Sequence, residues 1–250
     1  MQYRCKGTMP MQDLLLHWDA FRDVNRRRRA IRDFDGISIP EDAMHALLAE
    51  AALAPSSGNL QPFQMHWLRD PGLKARVAKA CNGQRAAISA PTLVVVAASP
   101  RIALRTANQQ LANVEASTAL PAKSKAHYRR QVRMFRRILG PGSWAIWTPL
   151  VALAGLVKPS LSLLPVGHVG ILGWAARNAT FAAQTLMLAA AARGIDSCPM
   201  EGFSAPKIAG LLGLPRGTVI PVVIALGYRA QGARIENQWR RPLTDIVVEH

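Results

Sequence analysis

Acid is what this 250-residue chain lacks most: 15 aspartates and glutamates stand against 31 lysines and arginines, a formal net charge of +16. That imbalance excludes an acidic disordered tail and points to an anionic partner, such as a phosphorylated cofactor, acidic lipid headgroups or nucleic acid. Cysteine is also scarce. Cys5, Cys81 and Cys198 are odd in number, far apart and free of any C-x-x-C pattern. A disulfide framework and a structural zinc site are both excluded on that ground. The six histidines (His17, His45, His66, His127, His168 and His250) show no H-x-x-x-H spacing. They read as surface or hydrogen-bonded core residues, and no metal site is expected. No G-x-G-x-x-G opens a helix after a strand, so no Rossmann domain is indicated. The N-terminus has no apolar run after its first positive charges, so a secretory signal is not expected. Met9 and Met11 are alternative starts, which makes residues 1–10 a flexible extension and 11–250 the domain.

What is present is apolar mass. Half of the residues are hydrophobic, enough for a full core in one domain and too many for wholesale disorder. The positive charge is local. From Pro71 to Ile195 the single acid, Glu115, faces sixteen basic residues. Lys123 to Arg137 holds seven of them, and Tyr128, Val132, Phe135 and Ile138 recur at helical spacing, so the segment reads as a basic amphipathic helix stopped by Gly140 and Pro141. Eighteen uncharged residues follow, Gly140 to Val157, with Trp144 and Trp147 near their start. Three readings stand for this stretch: a lid over a cavity or a seam between two copies, a segment lying on a membrane surface, and a membrane span.

The remaining elements follow from periodicity and punctuation. Met11 to Arg28 reads as a helix, and a second starts near Ser38-Ile39-Pro40-Glu41 and runs to about Ala54, where Pro55 ends it. Phe63–Leu68, Thr92–Ala98, Val219–Leu226 and Ile246–Glu249 read as strands. Gly173 to Arg193 reads as a long alanine-rich helix, and Ser204 to Leu212 as a short one. Helices and strands mix without strict alternation, so the fold class is α+β.

Four clusters carry chemistry. Arg26-Arg27-Arg28-Arg29-Ala30-Ile31-Arg32-Asp33-Phe34 offers guanidinium forks for a phosphate, with Arg28 and Arg32 one turn apart if the backbone stays helical. Ala54-Pro55-Ser56-Ser57-Gly58-Asn59-Leu60-Gln61-Pro62-Phe63 offers hydroxyls, a glycine permitting close approach, and two amides suited to the edge of a flat heterocycle. The third is the loop Cys198-Pro199-Met200-Glu201-Gly202-Phe203, and the fourth is Trp239-Arg240-Arg241-Pro242-Leu243. Taken singly, each could be an ordinary surface segment.

In this order the four clusters resemble the nitroreductase family of FMN flavoproteins. The matching patterns are R-R-x-x-R-x-F, P-S-S-G-N-x-Q-P-F, P-x-E-G-F, the stretch from Gly213-Leu214-Pro215 to Gly227-Tyr228, and R-R-P-L. They cover about 24–98 and 174–247, and residues of about 100–170 read as an insertion in a subfamily. The resemblance implies a central mixed or antiparallel sheet flanked by helices in an intertwined homodimer. It implies that Arg28, Arg29 and Arg32 hold the FMN phosphate and pyrimidine side, with Arg240 and Arg241 adding to the clamp. Ala30 stands where the family commonly has serine. Pro55, Ser56, Ser57, Asn59 and Gln61 would meet the flavin from the partner subunit. Pro199, Met200, Glu201 and Gly202 would pass the flavin edge, with a backbone N–H of Glu201 or Gly202 near N5. Cys198, beside that loop, reads as a packing residue rather than a redox thiol.

The activity so implied is an FMN-dependent oxidoreductase in which NAD(P)H binds transiently, reduces the flavin and leaves. A nitroaromatic, a quinone or a related conjugated acceptor then takes the electrons, in a pocket shaped by the segment with Trp144 and Trp147. Nearby cations would stabilise the charge of the reduced flavin. No side-chain catalytic group is assigned. Alternatives on the same fold are a flavin-dependent dehydrogenase, oxidase or dehalogenase, and a non-catalytic flavin-binding protein anchored to an anionic membrane by residues 123–137. The expected location is the cytoplasm, with contact to the inner face of the membrane as the variant of that reading. Nucleic acid is not expected as a partner, since no stacking aromatics interleave the arginines.

Overall fold

A computed structural model describes residues 11–250; the expected N-terminal extension and Cys5 lie outside the described residues. The helices are α1 (Met11–Arg27), α2 (Glu41–Ala52), α3 (Pro71–Ala80), α4 (Arg85–Ser89), α5 (Pro100–Ala116), α6 (Ala122–Leu139), α7 (Trp147–Val157), α8 (Gly167–Ala192) and α9 (Ala205–Leu211). The strands are β1 (Phe63–Leu68), β2 (Thr92–Ala98), β3 (Asp196–Met200) and β4 (Val219–Gly227). They form one sheet in the order β1-β2-β4-β3, with antiparallel pairing throughout. This is the α+β class expected, with the sheet antiparallel rather than mixed.

Every residue of β2 is buried, which explains its continuous apolar run: both faces of the strand are covered. Val94, Val96 and Ala98 face one core with Val222, Ile224 and Leu226, under α2, α5, α6 and α8. Leu93 and Val95 face a second core with Val223, Ala225, Cys198 and Met200, under α3, α4 and α9. The two-residue period thus divides one sheet between two hydrophobic layers. In α8, Ala175, Ala179, Ala183 and Ala190 lie in the first core, and their small side chains let the helix approach the sheet closely. At 26 residues it spans about 39 Å at about 1.5 Å per residue.

Four expectations are corrected. The backbone is not helical between Arg28 and Arg32. The helix ends at Arg27, and the chain becomes extended because Ile31 N–H donates to Ser197 O at 3.1 Å and Ala30 pairs in parallel with Ser197. Ile246–Glu249 is not a strand. A short 3-10 turn, Leu243–Asp245, precedes it, and Ile246, Val247 and Val248 lie exposed with no strand pairing with them among the described residues. The run from Cys198 is not all loop, since residues 196–200 form β3. Helix α8 starts at Gly167, six residues before Gly173, because the preceding apolar stretch breaks at a 3-10 segment, Pro159–Leu163.

The basic helix is α6, with Val132 buried and Tyr128, Phe135 and Ile138 half-buried. No helix among the described residues is long and apolar enough to cross a membrane. The helical run Ala122–Ser143, which contains α6, meets α7 at 96°, and the 11 residues of α7 reach about 17 Å, short of a hydrocarbon core of about 30 Å.

Fully buried Ile31 anchors the extended arginine segment. Ile31→Ala is expected to lower stability by about 2–5 kcal/mol, read as a reduced urea midpoint with an unchanged slope.

Candidate functional site

The third and first clusters meet at the outer edge of the sheet. β3 is an edge strand whose inner side pairs with β4. Its outer side is used at Ser197, whose carbonyl accepts from Ile31 N–H. Polar groups alternate along a strand, so the nitrogen of Pro199 also faces outward and the proline costs no ladder hydrogen bond. Arg28 and Arg29 are half-buried, and Arg32 is exposed.

The fourth cluster closes over them. Arg28, Arg29, Ala30, Arg32, Asn237, Gln238 and Arg240 line a cleft of about 170 Å³. The C-terminal arm is fastened by a hydrogen bond from the Arg29 guanidinium to Glu236 O. The one acid on the cleft wall, Glu236, is already paired with Arg234 at 2.9 Å. Four guanidiniums therefore share a small space without a free counter-charge among the described residues. Burial, then the charges of Arg240 and Arg29, push the pKa of Arg28 below its ordinary value. A polyanion in the cleft would reverse the repulsive part of that shift. Arg241 is exposed and is not part of this cleft wall.

The second cluster lies elsewhere in the chain. Ser57 N–H donates to buried Asn178 Oδ1 at 2.7 Å, and Gln61 N–H to Ser56 Oγ at 2.9 Å. Gln61 Nε2 donates to Asn59 Oδ1 at 3.1 Å. Gly58, Asn59 and Gln61 all have left-handed backbone, with φ of 61°, 54° and 41°. Only glycine adopts this freely, so the loop holds strain of the kind that collects at binding sites. A Cβ at Gly58 would lie 2.5 Å from Phe135 Cζ, so α6 packs directly on the turn. Pro55, Ser57 and Asn59 are exposed, and none of the loop lines the arginine cleft.

The P-x-E-G-F segment divides. The Met200 side chain is buried in the second core, so it offers a ligand only backbone, whereas Pro199, Glu201 and Gly202 are exposed. Gly202 O accepts from Asn82 Nδ2 at 3.0 Å and from Gln84 Nε2 at 2.7 Å. These clamps fix the peptide plane, while the N–H groups of Glu201 and Gly202 have no acceptor among the described residues. Sequence reasoning missed Asn82, Gln84, Asn178 and the arm residues Asn237 and Gln238. Only the Asn82-Gly83 pair carried a local signal, a turn dipeptide between two helices.

Cys198 is buried, and its pKa is raised by burial, with a smaller opposing pull from Arg32. It packs in the core, as expected. His66 departs from expectation: its Nε2 is buried without a partner, and burial lowers its pKa, which keeps the ring neutral.

Comparison with known proteins agrees with this geometry. A family model described as "Nitroreductase family" matches residues 26–228. Protein DrgA of Synechocystis is 30% identical over 236 residues, covering 90% of this chain and 93% of that one. A protein named NADH dehydrogenase from Thermus thermophilus is 27% identical over 222 residues, covering 89% and 92%. Among solved structures, a putative nitroreductase from Bacillus subtilis superposes with a TM-score of 0.73 at 23% identity, covering 94% of this chain and all of that one. A putative nitroreductase from Exiguobacterium sibiricum, solved in complex with FMN, superposes with a TM-score of 0.70 at 21% identity, covering 92% and 97%.

Two outcomes follow from the geometry. Asn178→Ala strands the Ser57 N–H and is expected to cost about 1–3 kcal/mol, measured by urea unfolding. Burial pushes the Cys81 thiol up to about 11, so at pH 8 about one thiol in a thousand is ionised. In a Cys5→Ser variant, Ellman's reagent should find no reactive thiol at pH 8 until denaturant is added.

Proposed function

The chain belongs to the nitroreductase family, and we propose that it is an FMN-dependent oxidoreductase that uses NAD(P)H to reduce a nitroaromatic, quinone or related conjugated acceptor. The observation that carries this reading is the convergence of Arg28, Arg29, Arg32 and Arg240 on one cleft. The fit to FMN rests on the donors. Guanidinium forks are the side chains best matched to a phosphate dianion, and here the acid on the cleft wall, Glu236, is already paired with Arg234.

FMN, when bound, supplies a flavin ring able to accept a hydride from a nicotinamide and pass electrons onward. The chain's own residues bind and orient. Arg28 and Arg240 grip the phosphate, and Arg29 holds the C-terminal arm in place. Asn82 and Gln84 hold the Gly202 carbonyl and so brace the end of the segment whose Glu201 and Gly202 N–H groups would face a ring nitrogen.

At about 170 Å³ the cleft is smaller than the roughly 300 Å³ at which ligand pockets begin. One chain thus offers the phosphate end of a site. The loop Pro55–Gln61 exposes Pro55, Ser57 and Asn59, is amide-rich and does not line this cleft, which suits a ring-side wall supplied by a second subunit. A homodimer with two shared sites is the assembly this reading requires.

Purified protein is expected to be yellow and to bleach on anaerobic titration with NAD(P)H. Arg28→Ala combined with Arg240→Ala should weaken FMN binding by at least about a hundredfold, given about 1.5–3 kcal/mol for each hydrogen bond to a charged group. Colourless protein that FMN cannot reconstitute overturns the reading. Yellow protein that neither nicotinamide nucleotide bleaches overturns the oxidoreductase assignment and leaves flavin binding.

A further inference from the structure

A surface that shares no residue with the arginine cleft is built for a different partner. On its outer side α6 presents His127, Arg130, Arg133, Met134 and Arg137, which line an open groove of about 980 Å³. The three other cations of the helix are engaged. Arg129 pairs with Glu115, Lys125 donates to Glu115 O, and Arg136 donates to Asn108 Oδ1. Lys123, Arg130, Arg133 and Arg137 have no acidic partner among the described residues.

Next to this face the chain turns by 96° into α7. No residue of α7 is buried, although the helix is apolar along its whole length. Leu156 is 80% exposed and Val157 83%, and Trp144 and Trp147 stand exposed at the corner between the two helices. A contiguous apolar surface of this kind marks a partner.

We propose that the α6–α7 corner docks the protein on an anionic lipid surface, with the α6 cations against the headgroups and α7 lying in the acyl boundary. Charge selects this occupant over a second copy of the chain. A second copy at this corner would bring another four unpaired cations into the same contact without supplying an acid, whereas anionic lipid attracts each by about 1 kcal/mol. Tryptophan between the polar and apolar parts is the composition favoured at the interface.

The test is co-sedimentation of the full chain with sucrose-loaded vesicles of phosphatidylcholine alone or with about 30 mol% phosphatidylglycerol. Binding is expected to the mixed vesicles only. It should be lost as salt rises from about 0.1 to about 1 M, where the screening length falls from about 10 to about 3 Å. Neutralising Lys123, Arg130, Arg133 and Arg137 together to alanine should weaken binding by about a thousandfold. Trp147→Ser with Leu150→Ser and Leu153→Ser should abolish it with the cations intact. Both variants alter exposed residues, and circular dichroism checks that each is folded. No binding, equal binding to neutral vesicles, or full binding by the four-cation variant overturns the proposal. So does an α7 variant that still binds vesicles but sediments as a smaller species, which would make a second copy the occupant.

Discussion

One hydrogen bond organises the candidate site, that from Ile31 N–H to Ser197 O. It turns the run after α1 from helix into extended chain and lays it along β3. With Ile31 fully buried, the alternation of an extended backbone sends Arg32 outward, and Arg28 and Arg29 stand where the helix releases the chain. The same strand continues to Glu201 and Gly202. Arginines and exposed backbone donors, far apart in sequence, thereby share one sheet edge.

The edge has a cost that defines its partner. Gathering four guanidiniums without a free carboxylate lowers the pKa of Arg28, through burial and through repulsion from Arg240 and Arg29. Neighbouring cations elsewhere are neutralised by design: Arg85 meets Asp33 at 2.6 Å, and Arg229 meets Asp196 at 2.6 Å. The contrast within a few residues of chain separates structural arginines, which have carboxylates, from those held for an anion. A bound phosphate would relieve the repulsion, and so the site is more stable filled.

Much of the fold was legible in the sequence because its signals are local. The all-apolar run of β2, the alanine-rich α8 and the basic stripe of α6 each carry their period within one element. The arginine cluster was legible by type but not by backbone: R-R-x-x-R is compatible with a helical turn, and only the distant Ser197 carbonyl decides for extended chain. The apolar end of the chain, Ile246 to Val248, reads as a strand because β-branched residues favour one. A strand also needs an edge to pair with, and none pairs there among the described residues. Asn178 was invisible for the converse reason. An asparagine in an apolar helix carries no local signal of the Ser57 N–H, 121 residues away, that it satisfies.

The placement of the Pro55–Gln61 loop carries the synthesis furthest. Its left-handed residues and its internally paired amides are strain and order that the core does not need, since Pro55, Ser57 and Asn59 face outward. Phe135 of α6 packs against Gly58, so the turn rests on the same helix whose other side carries the unpaired cations. If the loop serves as the ring-side wall of a flavin site, α6 has two faces with separate tasks. Its inner face sets the shape of a shared site, and its outer face meets an anionic surface. A device on the outer face would then act on the inner one through a single rigid helix. Displacement of α6 by a bound surface would be felt first at the Gly58 turn, where the backbone has least freedom to yield.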